Sequence, residues 1–178
     1  HNSHVLHTTP RRHPLHPRFF AKRILFDLAD RDQDGTCSSF TPDHLVAVSP
    51  LGGFYAITRD PSRLVRRPTD ATGRPAIYVR TADGKALATI QHDDGVVRAL
   101  GWTFRGHLLV VNHLGQVYHY DAFGYPEGRP FSLGESCRRA GVASVRMLPN
   151  AVFVLSMDEN IYAVVDLDDP RVITIPNV

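Results

Sequence analysis

Asp30, Asp32 and Asp34 alternate along the chain and are followed at once by Gly35. Three carboxylates so spaced can converge on a hard cation, and a glycine there permits the sharp turn of an EF-hand calcium loop. The rest of the pattern is missing. The twelfth loop position is Thr41, where a bidentate Glu is needed, and Pro42 disfavours an exiting helix. A solvated acidic turn is the simpler reading. Histidine is the second route to a metal. His1, His4, His7, His13 and His16 crowd the start of the chain, where a flexible tail offers no fixed geometry. His107, His113 and His119 recur at intervals of six, with His113 in a turn and His119 within a strand, so they are expected not to converge.

Nucleophilic catalysis has no better footing. Ser, His and Asp are present, but there is no Gly-x-Ser-x-Gly elbow and no phosphate-cradling glycine loop. Asp166, Asp168 and Asp169 crowd ahead of Pro170 and read as an inter-strand turn. Arg63, Arg66 and Arg67, and Arg138 with Arg139, read as solvated basic loops with the chemistry to meet acidic partners or anionic lipid. No catalytic, cofactor-binding or metal-binding residue is assigned, no cofactor is expected, and the chain is expected not to be an enzyme.

Charge bears on nucleic acid. Arg11, Arg12, Arg18, Lys22 and Arg23 precede the first acidic residue, Asp27, and the rest of the chain carries 15 basic against 18 acidic residues. That balance neutralises phosphates poorly, so no nucleic-acid partner is expected. Cys37 and Cys137 are the only cysteines and make no disulfide framework, which suits a reducing compartment. The longest apolar runs, such as Ala151 to Leu155, are far too short to span a bilayer.

The elements that must position these residues change character along the chain. Residues 1–18 are rich in Pro, His and Arg and are expected to be a disordered tail. Residues 19–43 read as a short helix over 19–29 and a loop. From residue 44 onward, β-branched and aromatic runs alternate with turn residues: 44–49, 53–59, 76–81, 86–91, 96–102, 107–112, 116–121, 143–148, 151–156 and 160–167. Short strands with closely spaced turns imply an all-β fold, and Asp83-Gly84 marks a hairpin.

Internal similarity narrows the fold. Leu45–Val48 aligns with Leu108–Val111 and with Val152–Leu155, and Phe54–Ile57 then falls on Val117–Tyr120 and Ile161–Val164. Tyr55, Tyr118 and Tyr162 share one position in this frame and are expected to be packing residues. The step from Leu108 to Val152 is 44 residues, the length of a WD40-type blade. The step from Leu45 to Leu108 is 63 residues, which the alignment assigns to an inserted loop at 60–75. Residues 44–178 thus form an incomplete β-propeller of about three blades, whereas closed propellers have about four to eight. Two blade edges are left open, so the chain is expected to be a fragment and, in isolation, to aggregate or self-associate.

These residues resemble a known family. Val46 to Asp60 (VAVSPLGGFYAITRD), Pro61 to Val65, Ile77 to Ile90 (IYVRTADGKALATI), Leu100-Gly101-Trp102, Gly115 to Gly124 (GQVYHYDAFG), Phe131 to Gly134 and Ile161 to Val164 are similar, in order and spacing, to the amino-terminal propeller of the vacuolar protein sorting-associated protein 16 family. Residues 1–40 do not look like the aromatic, basic segment that opens the family. The resemblance implies a non-catalytic scaffold subunit of the HOPS and CORVET complexes, which tether endosomal and vacuolar or lysosomal membranes before fusion. It implies a cytoplasmic protein, peripheral on those membranes, whose partners are other tethering-complex subunits. Among them is a Sec1/Munc18-type subunit held through a helical solenoid that this chain lacks. Two rival classes remain: a propeller hydrolase, disfavoured by apolar inner runs such as VVRALGW, and a calcium-binding fusion resting on residues 19–41.

The calcium rival is the quickest to test. Millimolar calcium is expected to leave the melting temperature unchanged. An upward shift that disappears in Asp30→Ala would instead make the acidic loop a site, because a ligand bound only by the native state stabilises it.

Overall fold

The computed structural model of the chain describes residues 44–61 and 76–177. The expected tail, the expected helix, the acidic loop and Arg63, Arg66 and Arg67 lie outside these residues. The described strands are β1 (His44–Val48), β2 (Phe54–Arg59), β3 (Ala76–Thr81), β4 (Ala86–Gln91), β5 (Val97–Trp102), β6 (Leu108–Asn112), β7 (Gln116–Tyr120), β8 (Phe131–Ser132), β9 (Val142–Leu148), β10 (Ala151–Ser156), β11 (Ile161–Val164) and β12 (Val172–Ile175). A short helix, α1 (Glu135–Ala140), joins β8 to β9.

The strands form three sheets of four, ordered β1-β2-β3-β4, β5-β6-β7-β8 and β9-β10-β11-β12. All pairings are antiparallel between sequence neighbours. The first strands approach one another, β1 beside β5 and β5 beside β9. Three meandering sheets that meet at their first strands are three blades of a partial β-propeller. Meanders arise because each run is short and β-branched and the next turn follows at once.

The structure corrects the frame of the repeat. Leu108–Val111 and Val152–Leu155 both lie on second strands, β6 and β10, but Leu45–Val48 is the first strand of its blade. The 63-residue step therefore contains one strand of misalignment, and the 60–75 insertion lies inside the first blade, between β2 and β3. The tyrosines shift with it. Tyr118 opposes Val110 and Tyr162 opposes Val154. The matching pair in the first blade is Ile57 opposite Tyr78, so Tyr78 rather than Tyr55 is the third member. Val46, Leu100 and Val145 complete the same row on the first strands. Tyr55, Tyr118 and Tyr162 are nonetheless all buried, as packing residues must be.

Ten of the twelve strands coincide with the sequence runs; β8 and β12 do not. β8 is two residues long, and all four residues of β12 are exposed, so neither carries an in-and-out alternation. The Asp83-Gly84 hairpin forms, although Gly84 alone of the pair has positive φ, at 86°. The Thr81 N–H donates to the Lys85 carbonyl at 3.0 Å and closes a three-residue loop rather than a two-residue one.

Two apolar seams hold the blades together. The first joins Ala47, Ala56, Ile77 and Val79 of blade one to Trp102, Leu108, Val110 and Tyr118 of blade two. The second joins Leu109, Val111, Val117 and Leu133 of blade two, with Cys137 of α1, to Val152, Val154, Tyr162 and Val164 of blade three. The four residues Leu108–Val111 are all 0% exposed, because alternate side chains of β6 enter opposite seams. Such burial contributes about 1.5–3 kcal/mol per large side chain. Packing in the second seam is close enough to require glycine at 115. That residue has φ of 73°, and a Cβ on it would lie 2.6 Å from the Cys137 Sγ.

A fully buried polar bond to the backbone crosses the first seam. The Trp102 indole N–H donates to the Ala47 carbonyl at 3.1 Å, fully buried and 55 residues away in sequence. Trp102→Phe leaves that carbonyl without its donor and opens a small void. Stability should fall by about 1–3 kcal/mol, read from urea denaturation followed by far-ultraviolet circular dichroism. An unchanged midpoint would show that the bond contributes nothing.

Candidate interaction surface

Among the described residues, His113 and the aspartates and arginines that stood out in sequence are committed to structural bonds. His113 sits in the β6–β7 turn, where its Nδ1 accepts from the Val96 N–H at 3.1 Å. His119 lies on β7 and feels the charge of His107, so those two are neighbours while His113 stands apart. Burial, then His107, holds the His119 imidazole below its ordinary value. The aspartates do form the β11–β12 turn. Asp166 accepts from the Asp168 N–H at 3.0 Å, Asp168 pairs with Arg105 at 2.7 Å, and Asp169 accepts from the Arg171 guanidinium at 3.0 Å.

Arg138 and Arg139 are not a free basic loop. They lie on α1, one helical turn from Glu135, and both contact its carboxylate, at 2.8 Å and 3.1 Å. These bonds, Arg138 first, hold the Glu135 carboxyl down to about 2. The sequence reading missed the helix because six residues give almost two turns and no periodicity. Cys137 on α1 is buried in the second seam, which pushes its thiol up to about 11. Among the described residues no three His, Cys, Asp or Glu side chains are grouped to hold a metal ion.

Two surface features remain among the described residues. A shallow groove runs where the three first strands meet, lined by Val48, Pro50, Leu100, Trp102, Met147 and Pro149 among others. Its lining has no titratable group. The second is the β7–β8 loop. The Asp121 Oδ1 accepts from the backbone N–H groups of Phe123 at 2.9 Å and Tyr125 at 2.8 Å. This fixes a tight turn that presents Phe123 and Tyr125, 63% and 69% exposed. Gly124 between them rests on Ile90 of blade one; a Cβ there would lie 3.0 Å from Ile90 Cγ1. Rigid, exposed aromatics are what interface anchors are made of. An Asp three residues before a Gly, with aromatics inside the turn, is the signal that could have found them.

Known proteins align with this body of blades. The family model described as Vps16, N-terminal region, matches residues 13–178. The chain belongs to the Vps16 N-terminal region family. A fission yeast relative, the probable vacuolar protein sorting-associated protein 16 homolog of Schizosaccharomyces pombe, is 30% identical over 129 residues, 72% of this chain and 15% of that protein. The vacuolar protein sorting-associated protein 16 homolog of Drosophila melanogaster is 34% identical over 90 residues, 51% of this chain and 10% of that protein. The chain thus spans a small part of the length of these Vps16 relatives. Among solved structures, BamB from Moraxella catarrhalis aligns with a TM-score of 0.49 and 15% identity, over 74% of this chain and 35% of that one. Among the described residues no helix is long and apolar enough to cross a membrane.

One buried group makes the Vps16-type body sensitive to acid. His92, 1% exposed, lies between blades one and two. Its Nδ1 is 3.2 Å from the Tyr120 hydroxyl, and its ring meets Tyr118 edge-on at 4.7 Å. Its Nε2 is buried without a partner. Burial holds the imidazole below its usual value of 6.5, opposed by Asp94 and Asp93. As pH falls, the unfolded chain therefore takes up this proton before the folded one does. The stability contributed by neutral His92 is complete above about 6.5 and declines below it, until the folded-state group is itself protonated. His119 acts in the same direction. The melting temperature should fall between neutral pH and about pH 5, and His92→Phe should make that fall shallower. A melting temperature equally steep in the variant would remove His92 from the account.

Proposed function

We propose that this chain is a non-catalytic scaffold portion of a membrane-tethering complex of the HOPS or CORVET type. It acts in protein transport to the vacuole or lysosome. The observation that carries the reading is the Vps16 N-terminal match, which spans residues 13–178 and includes every described strand. The chemistry of the body agrees with it. Asp168 pairs with Arg105, Arg138 and Arg139 pair with Glu135, and the groove at the first strands has no titratable side chain in its lining. What the surface offers instead is shape and exposed aromatic side chains, which suit binding to other proteins.

In this reading the blades orient the subunit and present the Phe123–Tyr125 turn to neighbouring subunits of the complex. The Sec1/Munc18-type subunit binds elsewhere, through the helical solenoid of the longer family members. The protein works in the cytoplasm, peripheral on late endosomal and vacuolar or lysosomal membranes.

A chimera tests the proposal. The aligned blades of the fission yeast relative are replaced by residues 44–177 of this chain in cells that lack the native copy. Vacuolar protein sorting should be restored, and the chimera should co-purify with the other subunits of the tethering complex. Phe123→Ala with Tyr125→Ala in the chimera should weaken co-purification at least about tenfold, with the expression level unchanged. A chimera that is stably expressed yet neither co-purifies nor restores sorting would contradict the scaffold reading.

A further inference from the structure

The turn that carries Phe123 and Tyr125 is held in place from several sides. The Asp121 N–H donates to the Tyr125 carbonyl at 2.9 Å, the Gly124 N–H to the Asp121 carbonyl at 3.1 Å and the Glu127 N–H to the His119 carbonyl at 2.8 Å. These bonds add to the two that the Asp121 carboxylate accepts, and Gly124 rests on Ala88 and Ile90 of blade one. A surface fixed in this way loses little conformational freedom on binding. The turn belongs to blade two, which is packed on both faces, so its exposure does not come from an uncovered blade. Its surroundings are acidic. Glu127 is exposed two residues after Tyr125. Asp94, also exposed, lies two residues after His92, whose Nδ1 meets the hydroxyl of Tyr120 at the foot of the turn. Elsewhere on the described surface carboxylates meet cations: Asp83 meets Lys85, Asp168 meets Arg105, Glu135 meets Arg138 and Arg139, and Asp169 meets Arg171. Among the described residues Asp94, Asp121 and Glu127 join no ion pair. Arg129 is the one basic residue between β7 and β8.

We infer that this turn docks a segment of another protein in which an Arg or Lys stands one or two residues from an apolar side chain. The inference rests on the scaffold reading and names the chemistry that the turn offers to a neighbouring subunit. The apolar side chain of the segment packs on Phe123 and Tyr125. Its cation meets the electron-rich faces of those rings and the carboxylate of Glu127. Asp94 and Asp121 add to the same field, which steers the approach of a basic segment and selects against an acidic one. The charge balance decides among occupants. Three carboxylates against one guanidinium repel an anionic lipid surface and the phosphates of a nucleic acid. They favour a basic segment, and Arg is among the residues in which interfaces are enriched.

Peptide selection on the full chain tests this. Random short peptides displayed on phage should enrich for Arg or Lys beside Leu, Ile or an aromatic residue. The strongest binder, made with a fluorescent label, is then titrated by anisotropy. Phe123→Ser with Tyr125→Ser should keep the wild-type circular dichroism spectrum, since both side chains are exposed, and weaken binding at least about tenfold. The decisive arm is a charge swap. Glu127→Lys should weaken the peptide several-fold, and the same peptide with its Arg or Lys changed to Glu should bind Glu127→Lys more tightly than it binds the wild type. Loss of folding cannot produce that crossing of affinities. Vesicles of phosphatidylcholine and phosphatidylserine should not retain the chain. Retention that the double Ser variant abolishes would assign the turn to lipid and overturn the proposal. So would a selection that enriches nothing, peptides without a basic residue, or affinities that ignore both substitutions. The outcome is separable from that of the chimera. Restored sorting with a failed selection removes this inference alone, whereas a successful selection with a chimera that does not function removes the scaffold reading and leaves the binding surface.

Discussion

The structure depends on one constraint: a four-stranded sheet with apolar side chains on both faces must be covered on both sides. Blade two shows the constraint satisfied. Its second strand, β6, sends Leu108 and Val110 into one seam and Leu109 and Val111 into the other, and all four are 0% exposed. An isolated sheet of this composition would leave both faces, and so all four of those side chains, in water, at about 25 cal/mol for each Å² of apolar surface. The seams therefore come before the blades in the energetic order. The Trp102 bond to Ala47 and the close approach of Gly115 to Cys137 add geometry to that attraction. They fix which residues meet across each seam.

The strands were legible in the sequence because buried strands announce themselves. Runs such as Ala151–Ser156 and Ala76–Thr81 combine β-branched residues with flanking turns, and they became β10 and β3 with the same bounds. The outer strands β8 and β12 were not legible, since an edge strand buries little and keeps no pattern to read. The frame of the repeat was misread for a related reason. β1 and β6 are both short and aliphatic, and the sequence does not mark which strand of a blade comes first. The paired register does: the aliphatic–Tyr pair falls at Tyr78, Tyr118 and Tyr162.

The functional reading was legible in a different way. Sequence spacing alone offered metal loops, histidine clusters and basic patches. The described ones dissolve into turns and ion pairs once side chains are placed: Asp168 to Arg105, Glu135 to Arg138 and Arg139. The similarity to the Vps16 N-terminal region was carried by order and spacing over many strands rather than by any reactive residue. The scaffold role proposed for the chain calls for no chemical signature. The Phe123–Tyr125 turn is the nearest thing to one, and its meaning appears only when the Asp121 carboxylate is seen fixing the backbone.

The central claim is that the seams, with blade two between them, hold the fold together. Native-state hydrogen exchange measures this strand by strand. The slowest amides should be those of β6 and β7, from Leu108 to Val111 and at Val117 and Tyr118, opening only with global unfolding. The amides of β1 and β12, each on a blade that packs against a single neighbouring blade among the described residues, should open at lower free energy. If β6 exchanged as fast as β1, or if each blade opened independently with its own free energy, the blades would be self-sufficient and the seams incidental.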